Sequence, residues 1–274
     1  MPDDYSRQFE GQVVIVTGAS SGLGEEMALV FAERGAKVTL CGRNVERLEV
    51  SMAKCQKAAG GAKDRFITAI GDVNDSQVRK NIIESTVKAF GRLDVLVANA
   101  GMGLHTEGFM SESEESYDVV FNSNLKAPFF LVQEAIPELE KTKGKVVIIS
   151  SIGSTTATGR FIVGAVAKAG LDHMTRCLSL ALGPKNIRVN CVNPSIVYTR
   201  AYRYFDEKMG FDVMKKAMEN QGPLHPLNGR CSTAREQANV VAFLASGDAN
   251  FVTGQCVKVD GAVTLNRSTQ PLKD

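Results

Sequence analysis

Seven short runs of apolar, largely β-branched residues divide this chain, and their spacing limits the folds open to it more than any other feature. They fall at residues 13–16, 37–40, 66–70, 95–97, 146–149, 187–190 and 257–259. Each has strand length, and stretches long enough for a helix separate them. The runs are continuously apolar, so both faces of the sheet they form must be covered, which implies parallel strands. Right-handed crossovers then give an α/β fold with a doubly wound parallel sheet. No internal repeat or low-complexity linker interrupts the 274 residues, so a single domain over 1–274 is expected. One irregular stretch, about 195–232 with Pro223 and Pro226, is long for a loop in a compact domain and reads as a lid over a site. Within it Phe205, Met209, Phe211, Met214 and Met218 suggest a partly apolar cover, the last three at helical spacing.

The first run leads into Thr17-Gly-Ala-Ser-Ser-Gly-Leu-Gly24, after which a helical pattern extends to Arg34. Glycines at 18, 22 and 24 suit a strand-to-helix turn whose backbone must lie close to a pyrophosphate. N–H groups at the helix start, around Ser20, Ser21 and Leu23, then receive the anion. That placement makes the fold Rossmann-type. A carboxylate normally ends the next strand when the ligand is NAD, where it bonds the adenosine ribose. Here the strand ends Leu40-Cys-Gly-Arg-Asn44, and Arg43, with Asn44 beside it, supplies a cation suited to a 2′-phosphate. NADP(H) is therefore expected.

Composition narrows the other classes. A net charge of +2, with 23% charged residues, gives no reason to invoke nucleic acid or a membrane surface. No apolar run is of membrane-spanning length, and the polar opening Met1-Pro-Asp-Asp-Tyr-Ser resembles no targeting signal. Six scattered cysteines without a CxxC pair read as reduced thiols in a cytoplasmic setting. His105, His173 and His225 lack ligand spacing, so no metal site is expected.

Further motifs follow the glycine turn. Ala98-Asn-Ala-Gly101 ends the fourth run, and Asn124 opens Asn124-Leu-Lys-Ala-Pro. Ser151 ends the fifth run, and Lys168 follows it on a helical stretch. Asn190-Cys-Val-Asn-Pro194 is followed by Ile196 and Thr199, and Thr253-Gly254 precedes Val259-Asp-Gly261. Together, over about residues 9–263, these motifs resemble the short-chain dehydrogenase/reductase family, with local similarity to carbonyl and xylulose reductases. The resemblance implies hydride transfer between NADP(H) and a small-molecule carbonyl or alcohol. It implies catalytic roles for Ser151, Lys168 and Asn124. It also implies cofactor contacts at Asp72, Val73, Asn99, Ala100, Gly101, Lys168, Pro194, Ile196 and Thr199. A homotetramer, or a homodimer, through the helices of residues 115–140 and 161–182 is implied as well.

The pattern is broken at one chemically decisive position. Four residues before Lys168 the family places a tyrosine, and this chain has Gly164. In the family that tyrosine donates or accepts the proton on the substrate oxygen. Its hydroxyl, with an ordinary pKa near ~10, relies on the neighbouring lysine cation to work close to neutrality. None of Tyr5, Tyr117, Tyr198, Tyr202 and Tyr204 lies between residues 118 and 197, so no register shift restores it. Smaller departures are Ala98 for asparagine, Ser195 where Pro-Gly is common, and Ala262 in the usual Gly-Gly. Three readings stay open: an impaired variant of a reductase, a nucleotide-binding pseudoenzyme acting as a sensor or interaction protein, and an enzyme with a substitute donor. The substitute would be water between Lys168 and Ser151, or Tyr198 or Tyr202 from the lid.

Overall fold

The computed structural model describes residues 5–103, 109–157, 159, 161–199 and 211–266, with only the backbone at 211–214. Seven strands form one sheet: β1 (Val13–Thr17), β2 (Lys37–Gly42), β3 (Phe66–Ile70), β4 (Val95–Ala98), β5 (Lys145–Ile149), β6 (Arg188–Pro194) and β7 (Cys256–Val259). They lie in the order β3-β2-β1-β4-β5-β6-β7, and every pairing is parallel. The helices between them are α1 (Gly22–Glu33), α2 (Val45–Ala58), α3 (Ser76–Phe90), α4 (Glu114–Phe121), α5 (Ala127–Thr142), α6 (Ile162–Leu182), α7 (Phe211–Gln221) and α8 (Ala234–Ala245). This is the doubly wound single-domain fold expected of the alternating runs.

Side-chain alternation along each strand divides the core in two. Val14, Val16, Val95 and Val97 point toward Met27 and Phe31 of α1, Leu48 of α2 and Val241 of α8. Ile15, Leu96, Val146 and Ile148 point the other way, toward Ile82 of α3, Leu131 of α5 and Leu171 of α6. Burial on both faces explains why the strands read as unbroken apolar runs.

The sixth run needs a correction. Residues 187–190 were expected, whereas β6 covers Arg188–Pro194, all buried. Asn193 lies past the expected run, and both asparagines of the strand are satisfied inside. Asn190 donates to the Val252 carbonyl at 2.8 Å, and Asn193 donates to the Asp172 carboxylate at 2.9 Å. Arg188 is likewise buried, and its guanidinium donates to the carbonyls of Leu244 and Ser246, at 2.8 Å each.

Local chemistry fixes the helix ends. Asn44 caps α2 by accepting from the Arg47 N–H at 2.8 Å, and Asp75 caps α3 through Gln77. Thr233 and Glu236 form a reciprocal capping box on α8. A π-helical turn, Asn122–Lys126, joins α4 to α5, an interruption often found at functional sites. In the irregular stretch, α7 realises the helical spacing seen in the sequence, and Met218 is half-buried. Phe205 and Met209 lie outside the described residues. Past α7, buried His225 accepts at Nε2 from the Ser195 hydroxyl at 3.0 Å, with Nδ1 2.9 Å from the Gln221 carbonyl. Among the described residues no helix is long and apolar enough to cross a membrane. All six cysteines are free thiols.

Candidate functional site

The strand order reverses between β1 and β4, and such a reversal opens a crevice at the carboxyl ends of the strands. A pocket occupies that crevice. Its floor is Gly18, Ser20, Ser21, Leu23 and Gly24; its walls are Arg43, Asn44, Asp72, Val73, Asn99, Ala100, Gly101 and Thr199. Most of the residues expected to contact a cofactor are therefore gathered in one cleft. Gly42, Arg47, Gly71, Met102 and Ser123 also line it and were not anticipated. Pro194 ends β6 as a buried residue and Ile196 is half-buried; neither lines this pocket.

The glycines are required by contact as well as by conformation. Gly18 and Gly22 hold φ of 68° and 59°, in the left-handed region. A Cβ on Gly24 would lie 2.2 Å from the Gly18 carbonyl oxygen, and one on Gly22 would lie 3.0 Å from Thr199 Cβ. Thr199 is thus folded against the turn. Thr17 and Asn99 tie the turn to β4: Thr17 Oγ1 accepts from the N–H groups of Asn99 and Ala100 at 3.0 Å each, and Asn99 Nδ2 donates to the Thr17 carbonyl at 2.7 Å. Ser21, the N-cap of α1, makes no side-chain cap bond, which leaves the first-turn N–H groups to face the cleft. This bare-backbone cradle fits a pyrophosphate.

The end of β2 carries no carboxylate of its own beside Arg43, but the neighbouring strand brings one. Parallel pairing of β2 with β3 brings Asp72 alongside, and Arg43 Nη1 meets Asp72 Oδ2 at 3.0 Å. Both side chains are substantially exposed, so the pair is weak and exchangeable. Arg47, one turn into α2, adds a second cation to the same wall.

Asn124, Gly101 and Lys168 converge beyond the cleft. A Cβ on Gly101 would lie 2.8 Å from Asn124 Oδ1 and 3.7 Å from Lys168 Nζ. Asn124 is buried in the π-helical turn, and its side-chain amide exchanges two 2.8 Å hydrogen bonds with the Met102 backbone. Those two bonds hold the 101–102 segment in place. Lys168 Nζ donates to the Ile149 carbonyl at 2.8 Å. Burial of the ammonium pushes its pKa down to about 8, opposed by the thiol of Cys191 and the carboxylate of Asp172.

Ser151, at the end of β5, accepts from the Gly153 N–H at 3.0 Å and so caps the short turn Ile152–Ser154. Gly164 sits one helical turn before Lys168, and a Cβ there would meet nothing within 4 Å among the described residues. Of the tyrosines, Tyr117 stacks on Phe121 and Tyr198 is exposed, while Tyr202 and Tyr204 lie outside the described residues. His173 is exposed on α6. One cluster escaped the sequence entirely: Asp172, Cys191 and Cys256, distant in the chain, bring their ligand atoms within 4.8 Å of one another.

The comparisons with known proteins agree with this geometry. Residues 18–264 match the family model described as enoyl-(acyl carrier protein) reductase. The chain is 33% identical to tropinone reductase-like 3 of Erythroxylum coca, over 93% of this chain and 94% of that one. It is 34% identical to the 3-oxoacyl-(acyl-carrier-protein) reductase of Thermotoga maritima, over 94% of this chain and all of the other. A short-chain dehydrogenase/reductase of unknown function from Caenorhabditis elegans, solved with cofactor, superposes with a TM-score of 0.90 at 32% identity, covering 96% of this chain and 98% of its own. The chain belongs to the short-chain dehydrogenase/reductase family of oxidoreductases.

Proposed function

We propose that the protein binds NADP(H) and interconverts a small-molecule carbonyl with its secondary alcohol, in a form slowed by Gly164. The observation that carries this reading is the glycine-turn cleft walled by Arg43 and Arg47, with Lys168, Ser151 and Asn124 retained in their family positions; Gly164, one helical turn before Lys168, is what slows it. When bound, the cofactor supplies or accepts the hydride. The residues around it do the rest. The turn at Gly18, Gly22 and Gly24 would hold the pyrophosphate, with Ser20, Ser21 and Leu23 at the helix start. Arg43 and Arg47 would face the 2′-phosphate, and Lys168 the nicotinamide ribose. Ser151 would donate its O–H to the substrate oxygen while its Oγ accepts from the Gly153 N–H.

No side chain at 164 delivers the proton. Among the described residues nothing fills the space beside Gly164, so water can enter there, and Lys168, with a pKa of about 8, can hold that water and resupply it. Loss of a positioned general acid ordinarily lowers the rate about 10²–10⁴-fold. A second reading, a nucleotide-binding sensor without turnover, is favoured by the same glycine. We assign the lid role to about 195–232, a cytoplasmic setting, and a homotetramer or homodimer through α4–α6.

The test is NADPH oxidation against a panel of ketones and aldehydes, for this chain and for Gly164→Tyr. The expected outcome is slow turnover in the first and a rise of about 10²–10⁴-fold in the second. Tight NADPH binding without turnover in either protein would establish the sensor reading instead.

A further inference from the structure

Cys191 of β6 and Cys256 of β7 are register partners in the parallel ladder, so their side chains leave the sheet on the same face. Helix α6 covers that face, and its Asp172 reaches both thiols. Cys191 donates to the Asp172 carboxylate at 3.6 Å, and Cys256, as a thiol, donates to the Asp172 main-chain carbonyl at 3.6 Å. Neighbouring strands lie about 4.7–4.9 Å apart, inside the ~4.4–6.8 Å Cα separation that a disulfide spans. The pair thus meets the Cα condition for a disulfide, with the two sulfurs within 4.8 Å of each other.

The two thiols are inequivalent. Cys191 is buried, whereas Cys256 is half-buried on the edge strand, where a reagent arrives first. Position therefore makes Cys256 the attacking thiol and Cys191, held beside it on the same face, the resolving one.

We propose that Cys191 and Cys256 form a reversible oxidation site for hydroperoxides. The Cys256 thiolate attacks the terminal peroxide oxygen, the O–O bond breaks, and the alkoxide leaves with a proton as alcohol, or as water when the oxidant is hydrogen peroxide. Cys256 is then a sulfenic acid. Cys191 attacks its sulfur; the S–S bond forms, the S–O bond breaks, and hydroxide leaves as water with the Cys191 proton. Two thiols are oxidised and one peroxide is reduced. The same three residues offer a metal less. The Asp172 carboxylate is already held by Asn193 Nδ2 at 2.9 and 3.0 Å and by Ser154 Oγ at 2.7 Å, and the Lys168 cation lies one turn away. Asn193 also donates to the Ser151 carbonyl at 3.1 Å, so one side chain links Asp172 to the strand end that carries Ser151.

The chemistry of the pair stands apart from the carbonyl reaction and is tested without it. The full chain is exposed to a small excess of hydrogen peroxide, alkylated, digested and mapped by mass spectrometry. The expected result is an intact mass lower by two hydrogens and a Cys191–Cys256 linked peptide, both reversed by dithiothreitol. In Cys191→Ala, dimedone should trap a sulfenic acid at Cys256; in Cys256→Ser, Cys191 should stay unoxidised at the same dose. The unmodified chain alone gives the decisive map if a variant fails to fold. Oxidation that reaches only the exposed Cys177 would overturn the proposal. So would thiols that react only after a chelator has removed a bound zinc ion.

Discussion

Gly24 has unremarkable backbone angles, yet no other residue fits there, because its would-be Cβ falls 2.2 Å from the Gly18 carbonyl. Gly24→Ala should cost about 1–3 kcal/mol, the usual range for overpacking, and weaken NADPH binding with it. Urea denaturation and cofactor titration check both. Lys168 carries a second expectation at this scale. Its pKa of about 8 in the folded chain lies below the ~10.4 of an unfolded lysine. Between those values the unfolded chain keeps a proton that the folded chain has released, so this group's contribution to stability rises with pH across the window. Lys168→Met should accordingly be more stable than the parent by about 1–3 kcal/mol near pH 7, with the advantage fading by pH 10. A constant difference across that range would refute the desolvated ammonium. The spacing of the glycines was legible in the sequence because backbone approach to a phosphate leaves a residue-type signature. The cap made by Ser151 and the amide pairing of Asn124 with Met102 were not, since both depend on segments that meet only in the folded chain.

At the scale of elements, register decides what a motif becomes. Arg43 and Asp72 end neighbouring strands, and the pairing of β2 with β3 turns two separate loop residues into an ion pair. Arg43→Ala should shift the preference away from NADPH toward NADH by about tenfold, or ~1.4 kcal/mol. Asp72→Asn should move it the other way by no more than about fivefold, the measure of an exposed pair. Parallel titrations with the two nucleotides give both ratios; a preference untouched by Arg43→Ala would remove that residue from phosphate recognition. The strands themselves were readable because most are buried on both faces and carry β-branched residues throughout. β6 was read short for the opposite reason: Asn193, past the end of the expected run, looks like a surface residue until its buried partner is known. Arg47 was overlooked because helix α2 had to be placed before its first turn could be aimed at the cleft.

For the whole molecule, exposed apolar side chains on α4, α5 and α6, among them Tyr117, Val119, Phe129 and Val166, call for a covering surface. Light scattering should report the mass of a tetramer or dimer, and Phe129→Asp with Val166→Asp should lower it without unfolding the chain; a monomeric parent would end that assignment. The doubly wound parallel sheet followed from the sequence once the crossovers were taken as right-handed; the order of its strands came from the structure, as did the neighbours of Asp172, which converge from α6, β6 and β7. The hydrogen bond between Ser195 and His225 has a consequence at the same scale. It fastens the residue after β6 to the residue after α7's short terminal turn, so the intervening stretch begins and ends at a fixed clasp. Thr199 lies inside the clasp and lines the cleft, so the part of the stretch free to be exchanged, lengthened or shortened is the sequence after it. A chain so clasped can acquire new substrates by grafting a different insert between Thr199 and His225, leaving its nucleotide machinery as inherited.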